Sequence, residues 1–194
     1  MNTATSIRWS GILRSLGTLD YLTIDQLRRL HPIGGKRNAQ KTLRQMESEG
    51  YINTFFADRS KVTYLGKKGR EETGVTIIRK KTLAVRHFLL RNEIFIRYCP
   101  DKWRNEPELV ADGEMIRPDA AFSKGGREFL IEIDITQSMA ENRNKMRGYI
   151  ALKQKMGDKF PEIMIVTTSE FRRNEWEKML GKMKGVVMTA DDLR

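Results

Sequence analysis

Residues 116–136 read Ile-Arg-Pro-Asp-Ala-Ala-Phe-Ser-Lys-Gly-Gly-Arg-Glu-Phe-Leu-Ile-Glu-Ile-Asp-Ile-Thr, and this stretch decides the fold expected for the second half of the chain. Two apolar runs flank the Ser-Lys-Gly-Gly segment at residues 123–126. Glycine accommodates the backbone of a tight turn, so the pattern predicts two antiparallel strands joined by a glycine-containing loop.

The second predicted strand alternates strictly between apolar and acidic residues. Because successive side chains of a strand point to opposite faces, Ile131 and Ile133 share one face, and Glu132 and Asp134 share the other. Asp119 lies on the partner strand, from which it can approach both carboxylates. Carboxylates of this kind are ligands for a hard divalent cation, so the hairpin is a candidate metal site.

Composition indicates an ordinary folded protein with a polyanionic partner. The chain has 194 residues, 39% hydrophobic and 31% charged, which is enough for one large domain or two small ones. Its formal charge is +11 and its pI is about 9.9. Such an excess of positive charge indicates a nucleic acid as the first candidate partner and an anionic membrane as the second. The alternative is a charged surface that serves solubility alone.

Cysteine and histidine are too scarce for a zinc site. Cys99 is the single cysteine, so an intrachain disulfide is excluded, and His31 and His87 are the two histidines. Residues 1–6 lack the basic start and apolar core of a signal peptide, and no apolar run approaches a membrane span. We therefore expect a cytoplasmic protein that is not a membrane protein.

The first domain, residues 1–74, begins with three predicted helices. An amphipathic helix ends at Gly17, and a second begins at Thr23 in a capping-box pattern and is closed by Pro32. A third helix is predicted for residues 36–49, followed by a C-terminal glycine.

A hairpin follows the three helices. Residues 51–56 and 61–65 have strand character, and a turn at residues 58–60 gives the hairpin a basic tip. Three helices followed by such a hairpin predict a winged helix-turn-helix domain.

The third helix has a basic face of the kind that enters the major groove of DNA. Cations on that face can contact phosphates or guanine edges, and glutamine can pair with adenine. The candidate DNA-binding residues on this helix and the hairpin are Lys36, Arg37, Gln40, Lys41, Arg44, Arg59 and Lys61. Two alternatives remain open: a merely solvated helix surface, or a winged helix that binds protein.

Residues 75–81 are predicted to be a basic linker, and residues 82–194 a second domain. Its pattern is helix, three strands, helix, strand, helix, strand, which implies an α+β chain whose second domain has a mixed central sheet covered by helices on both faces. The predicted elements are a helix at 83–98, a strand at 103–110, the hairpin, a helix at 137–156, a strand at 162–168, a helix at 171–183 and a strand at 185–189.

The hairpin motifs resemble a known nuclease signature. Pro118-Asp119, a spacer and Glu132-Ile133-Asp134 are similar to the PD-(D/E)XK nuclease superfamily, although Asp134 stands where the lysine belongs. The longer pattern resembles the replication-relaxation family of plasmids, phages and integrative elements, whose members join a winged helix to a nuclease-like domain. The residues that carry this likeness are Arg117 to Ala120, Glu132 to Asp134, Thr136, Lys145 and Tyr149.

The resemblance implies a set of catalytic residues. Asp119 and Glu132 would hold Mg²⁺ or Mn²⁺, and either Asp134 binds a second ion or Lys145 replaces the missing lysine from the following helix. In such folds a glutamate of the preceding helix can join the metal site, which makes Glu93 a further candidate. The alternatives are that Lys145 and Glu93 are ordinary surface residues. The acidic cluster also has an alternative: the fold keeps its sheet without the chemistry, and the carboxylates accept hydrogen bonds from the helix ends above them.

Three functions follow from the sequence. The first is a DNA-binding protein of a mobile element that acts in replication, in DNA relaxation and transfer, or in transcriptional control, with a nuclease-like domain whose catalysis is lost or altered. The second is a metal-dependent DNA endonuclease targeted by its winged helix, and the third is a protein-interaction adaptor. The first is preferred because Asp134 occupies the lysine position. Candidate partners are double-stranded DNA, replication, relaxase or transcription proteins, and a second copy of the chain.

Overall fold

The computed structural model describes residues 3–111 and 113–193, which form two compact units, Met1–Asn92 and Glu93–Arg194. The described residues contain seven α-helices and a mixed five-stranded sheet, which confirms the predicted α+β class. None of the helices described is long and apolar enough to span a bilayer.

The first unit combines four helices with a small antiparallel sheet in the order β1-β3-β2. The helices are α1 (Thr3–Leu19), α2 (Ile24–Leu30), α3 (Lys36–Ser48) and α4 (Lys67–Thr73). The strands are β1 (Leu22–Thr23), β2 (Ile52–Ala57) and β3 (Ser60–Leu65). The three predicted helices and the predicted hairpin are therefore present.

Local chemistry explains two of these elements. The Thr23 hydroxyl accepts from the Gln26 amide at 3.1 Å and the Gln26 side chain accepts from the Thr23 amide at 3.0 Å, so the predicted capping box starts α2. The β2–β3 turn places Asp58 and Arg59 at φ values of 44° and 63°. Positive φ at both central residues matches the right-handed twist of the strands in a two-residue hairpin.

The end of α1 differs from the prediction. The helix continues through Gly17 to Leu19 and ends at Asp20, which takes a left-handed φ of 67° and donates its amide to the Leu16 carbonyl at 3.0 Å. Aspartate tolerates this conformation better than most residues, so it can end a helix without glycine. Gly17 packs beside Val75 instead.

The segment after α4 is fastened to the first unit although it contains neither helix nor strand between Gly74 and Ala84. Arg79 pairs with Asp20 at 2.8 Å, and the Tyr21 hydroxyl donates to the Lys80 carbonyl at 2.6 Å. The next helix, α5 (Val85–Tyr98), contains the division between the compact units. The linker predicted at 75–81 stays a prediction.

The first half of α5 completes the first unit through buried polar contacts. The Arg91 guanidinium is 1% exposed and lies 3.1 Å from the Asp20 carboxylate. Asn92 donates to the carbonyls of Leu19 at 2.8 Å and Tyr21 at 2.7 Å. These bonds satisfy the end of α1, whose last carbonyls would otherwise lack partners.

The second unit contains the remaining elements. Its further strands are β4 (Lys102–Asn105), β5 (Leu109–Ala111), β6 (Glu114–Ile116), β7 (Ala120–Lys124), β8 (Arg127–Asp134), β9 (Glu162–Thr167) and β10 (Gly185–Thr189). Its helices beyond α5 are α6 (Met139–Met156) and α7 (Glu170–Leu180), with short 3₁₀ helices at Gly157–Lys159 and Asp191–Leu193.

The predicted strand at 103–110 is wrong in extent, because two strands occupy this region. Glu106 has a φ of 44°, and Pro107 has no amide proton for a sheet. The chain therefore leaves the main sheet after β4, and β5 pairs with β6 in a separate two-stranded hairpin.

The five-stranded sheet runs in the order β10-β9-β8-β7-β4. β8, β9 and β10 are parallel, whereas β7 is antiparallel to both β8 and β4. Gly125 and Gly126 form the β7–β8 turn with φ values of 56° and 77°, as the glycine-containing loop predicted. The central strand β8 is thus paired on both sides, and its residues from Leu130 onward are buried.

Replacing Arg91 with alanine should destabilise the protein strongly. The change removes the buried partner of Asp20 and leaves it the partly exposed Arg79, so the loss should approach the roughly 3 to 5 kcal/mol that breaking a buried ion pair costs. Urea unfolding measures the loss, with Arg86→Ala, on the exposed side of the same helix, as the matched control. Equal stability of the two variants would contradict a role for Arg91 in holding the first unit together.

Candidate functional site

The acidic residues of β8 lie beneath a single face of α6. Glu132 and Asp134 are only 2% and 1% exposed, and both accept hydrogen bonds from α6. Asn142, Lys145 and Tyr149 supply these bonds at spacings of three and four residues, which place them on one side of a helix. The acidic face of the predicted hairpin is therefore covered by α6.

Glu132 receives a donor on each carboxylate oxygen. The Tyr149 hydroxyl donates to Oε1, and the Lys145 ammonium donates to Oε2. The Lys145 side chain remains 27% exposed, so the ion pair reaches solvent on the lysine side only. Lys145 thus occupies the neighbourhood of Glu132 that the family resemblance implies for a lysine contributed by the following helix.

Burial dominates the protonation of this cluster. Loss of hydration, reinforced by the negative charge of Asp119, raises the pKa of Glu132 to about 8, against the opposing effect of Lys145 and Tyr149. Burial would lower the pKa of Lys145, but the carboxylates of Glu132 and Asp119 outweigh it, so that pKa is raised. The protonation of Glu132 and that of Lys145 therefore depend on one another.

Asp134 is a junction between β8 and two helices. Its Oδ2 atom accepts from Asn142 at 2.8 Å, from Trp176 Nε1 at 2.7 Å and from Arg172 Nε at 2.9 Å, while Arg172 Nη2 donates to Oδ1. Arg172 and Trp176 come from α7, one helical turn apart. A carboxylate with this many donors acts as a structural anchor. Each hydrogen bond offsets part of the free-energy cost of burying the negative charge, so the donors and their helices are held at Asp134.

Arg172 was not anticipated from the sequence. It follows Asp134 by 38 residues, and no local pattern connects the two. Its one local signal is its place in the first turn of a predicted helix. Trp176 is buried in the core, and its indole nitrogen has a polar role as a donor to Asp134.

Asp119 is attached to β8 through the backbone. Its Oδ2 atom accepts from the Ile133 amide at 2.7 Å, and its own amide donates to the Ile131 carbonyl at 2.9 Å. The residue is half-buried. Asp119 therefore lies close enough to Glu132 to influence its charge, while one of its oxygens serves the sheet.

These carboxylates do not form a ready metal cage. Across residues 3–111 and 113–193, no group of three or more His, Cys, Asp or Glu side chains is arranged to hold an ion. A cation would first have to displace Lys145 from Glu132 or Arg172 from Asp134. Glu93 is half-buried on α5 and belongs to no such group. The expected Mg²⁺ or Mn²⁺ site remains a prediction.

The basic face of α3 is exposed, opposite the buried Ala39, Leu43 and Met46. Its exposed members are Lys36, Arg37, Gln40, Lys41 and Arg44. On the hairpin, Arg59 is exposed at the turn, whereas Lys61 pairs with Glu47 of α3 at 3.2 Å. The structure thus brings the predicted DNA-binding residues to one helix and its neighbouring hairpin, with Lys61 engaged in a contact between the two.

The net positive charge of the chain lies entirely in the first unit. Residues 1–92 carry 18 Lys and Arg against 7 Asp and Glu, a formal charge of +11, whereas residues 93–194 carry 18 of each and are neutral. The excess positive charge on which the prediction of a polyanionic partner rests therefore lies in the unit that contains α3.

Residues 13–163 match the model of the family described as Replication-relaxation. No curated protein matches the chain. Among solved structures, protein VC1899 from Vibrio cholerae is 12% identical with a TM-score of 0.40, over 98% of this chain and 52% of that protein. Can2 from Sulfobacillus thermosulfidooxidans, in complex with cyclic tetra-adenylate, is 12% identical with a TM-score of 0.36, over 95% and 48%. The chain spans about half the length of each.

Glu132→Gln should change how stability depends on pH. A folded pKa raised from 4.5 to about 8 gives wild type a contribution that is complete below about pH 4.5 and lost as pH rises through 8. Glutamine does not titrate, so the free energy of unfolding of the variant should gain on wild type by on the order of 5 kcal/mol across this window. Urea unfolding at several pH values measures the difference.

Glu128→Gln, at the exposed end of the same strand, is the matched control. A difference between Glu132→Gln and wild type that stays constant from pH 5 to pH 9 would reject the raised pKa.

Proposed function

The chain belongs to the replication-relaxation family, and we propose that it is a DNA-binding protein of a plasmid, phage or other mobile element. It acts in the cytoplasm in replication, in DNA relaxation and transfer, or in transcriptional control. The observation that carries the proposal is the charge distribution: the whole formal excess of +11 lies in the unit that exposes the basic face of α3. Such an excess attracts the phosphates of nucleic acid.

The first unit is proposed to be a winged helix. Three helices, α1 to α3, precede the β2–β3 hairpin, and β1 adds a third strand, which is the element order of such domains. In this assignment α3 is the recognition helix and the hairpin is the wing. Lys61 positions the wing through Glu47, while Arg59 at its tip is available to the DNA backbone.

Docking of α3 in the major groove assigns roles to its exposed residues. Arg37 and Arg44 can contact guanine edges or phosphates, and Gln40 can donate to and accept from adenine. Lys36 and Lys41 neutralise phosphates beside the groove. Apolar residues on the opposite side of α3 hold it on the first unit, so its exposed face is presented as a rigid surface.

The second unit is proposed to be a PD-(D/E)XK-like domain whose catalysis is lost or altered. Support comes from the donors on its carboxylates: Lys145 and Tyr149 engage Glu132, and Arg172 engages Asp134. Those contacts hold the sheet against α6 and α7. A neutral unit with anchored carboxylates suits a structural or protein-binding role in a complex with replication, relaxase or transcription proteins.

The competing function is a metal-dependent DNA endonuclease. What favours it is the contact of Lys145 with Glu132 beside Asp119, since a lysine next to two carboxylates is the chemistry expected at such a centre. A bound divalent ion would supply Lewis-acid activation of a phosphodiester and of water. Asp119 and Glu132 would hold it, after Lys145 turned from Glu132 toward the phosphate.

The double variant Arg37→Ala with Lys41→Ala should weaken binding to duplex DNA. Both side chains are exposed, so the fold should be kept, while the slope of log K against log salt should become shallower by up to about 1.8 if each contacts one phosphate. Fluorescence anisotropy across a salt series gives affinity and slope.

The matched control is Lys182→Ala with Lys184→Ala, which removes the same charge from exposed positions of the second unit. If both double variants lose the same DNA affinity, binding depends on net charge and not on the face of α3. No binding to DNA by wild type would reject the proposed function.

A nicking assay separates the two functions. If the carboxylates are structural, no cleavage appears on supercoiled, linear or branched DNA with Mg²⁺ or Mn²⁺, and Asp119→Ala keeps the DNA affinity of wild type because Asp119 lies outside the first unit. Asp119→Ala also serves as the control for contaminating nuclease. Metal-dependent nicking that disappears in both Asp119→Ala and Glu132→Ala would instead establish the endonuclease.

A further inference from the structure

A cavity of about 370 Å³ lies in the first unit, beside the basic face of α3. It opens between α1, the connection from α2 to α3, and α3 itself. The side chains that determine its chemistry are Arg8, Trp9, Asn38, Lys41, Thr42 and Gln45. Its volume falls within the range of small-ligand sites, on the order of 300 to 1,000 Å³.

The lining of this cavity is suited to an anion. It contains two cations, two carboxamides and a hydroxyl group, and no carboxylate. In the part of the chain that the structure describes, neither Arg8 nor Lys41 pairs with an acidic side chain. Trp9 is 2% exposed and packs edge-on to Tyr51, with ring centroids 5.4 Å apart, so one wall of the cavity is rigid. The two cations of the lining therefore have no ion-pair partner among the described residues, while Gln45 Nε2 already donates one hydrogen bond to Glu49 at 3.1 Å.

The cavity is continuous with the face of α3 proposed to read DNA. Asn38, Thr42 and Gln45 follow one line along the helix, and Lys41 stands between this line and the line formed by Arg37, Gln40 and Arg44. Lys41 thus borders both surfaces. An anion bound in the cavity would therefore lie directly beside a DNA duplex bound by α3.

We infer that this cavity seats a phosphate ester, held between Arg8 and Lys41 with hydrogen bonds from Asn38, Thr42 and Gln45. The ester is a backbone phosphate of the DNA strand that flanks the groove entered by α3. This inference rests on the proposed function, and it adds α1 to the interface through Arg8. A free nucleotide carries the same phosphate chemistry and is the other source that the experiment must distinguish.

Salt dependence of DNA binding by the full chain tests the backbone phosphate. Arg8→Ala should weaken duplex binding and make the slope of log K against log salt shallower by about 0.9, the value for one phosphate contact. Arg14→Ala is the matched control, because Arg14 is an exposed arginine of the same helix outside the cavity lining. Its affinity and slope should equal those of wild type.

The indole resonances of the protein report on the cavity directly. Trp9 lines it, whereas Trp103 donates to Asn105 at 2.7 Å and Trp176 donates to Asp134 in the second unit, so these two serve as references for folding. In ¹H–¹⁵N spectra, a short DNA duplex should move the Trp9 signal of wild type and leave that of Arg8→Ala in place. Deoxyadenosine 5′-monophosphate and inorganic phosphate are the free probes.

The outcomes distinguish a DNA backbone phosphate from a free nucleotide as the ligand. They also distinguish failure of the phosphate site from failure of the proposed DNA-binding function. If the mononucleotide moves Trp9 saturably while Arg8→Ala and Arg14→Ala share one salt slope, the phosphate site stands and the backbone source is rejected. If wild type binds DNA but no probe moves Trp9 and the slopes agree, the inference is overturned while the proposed function survives. If wild type binds no DNA, the proposed function fails, and a Trp9 signal unmoved by either free probe overturns the site as well.

Discussion

The second unit depends on one buried carboxylate, that of Asp134. Removing a carboxylate from water is costly, and the cost is met here by hydrogen bonds from Arg172, Trp176 and Asn142. Because those donors come from α6 and α7, the Asp134 carboxylate has all of its hydrogen-bond donors only when both helices are docked. Formation of the sheet is therefore coupled to docking of α7 through Asp134, and to docking of α6 through Asp134 and Glu132.

The first unit uses the same arrangement. Asp20 at the end of α1 is buried against Arg91, and Asn92 caps the carbonyls beside it, as Asn142 supports Asp134 in the second unit. A buried pair of this kind adds little net stability compared with an apolar core, but losing one partner is expensive. Such pairs therefore penalise alternative packings in which an aspartate and its arginine are apart.

Local signals in the sequence were sufficient to place most elements. The capping pattern from Thr23 to Gln26 and the glycine pair at 125–126 act over a few residues, and both appear where predicted. Ser138 and Glu141 form a second capping box, whose pattern was also present in the sequence and fixes the start of α6. The division of the strand predicted at 103–110 depends on Glu106 and Pro107 together: the proline is visible in the sequence, whereas the positive φ of Glu106 is not.

Long-range partners were beyond local reasoning. Asp134 and Arg172 are 38 residues apart, and Asp20 and Arg91 are 71 apart, so only tertiary packing determines which cation meets which carboxylate. The acidic residues of β8 were identified as a candidate site from alternation alone, and alternation is silent on what lies above them. A strand pattern that suits a metal centre is thus also the pattern of a strand with two structural anchors.

Protonation links these anchors to the chemistry of the site. Metal ligands must be deprotonated, and a Glu132 pKa near 8 makes the proton a competitor of any ion at neutral pH. Lys145 would also compete with a metal ion for Glu132, because its ammonium group already donates to that carboxylate. The hydrogen bonds that hold α6 on β8 would therefore have to break before Glu132 and Asp134 could bind a metal ion. The structural role of these two carboxylates thus competes with a catalytic one. Residues 93–194 have a net charge of zero. A unit that bound DNA phosphates by itself would gain from excess positive charge, so the second unit lacks this source of DNA affinity.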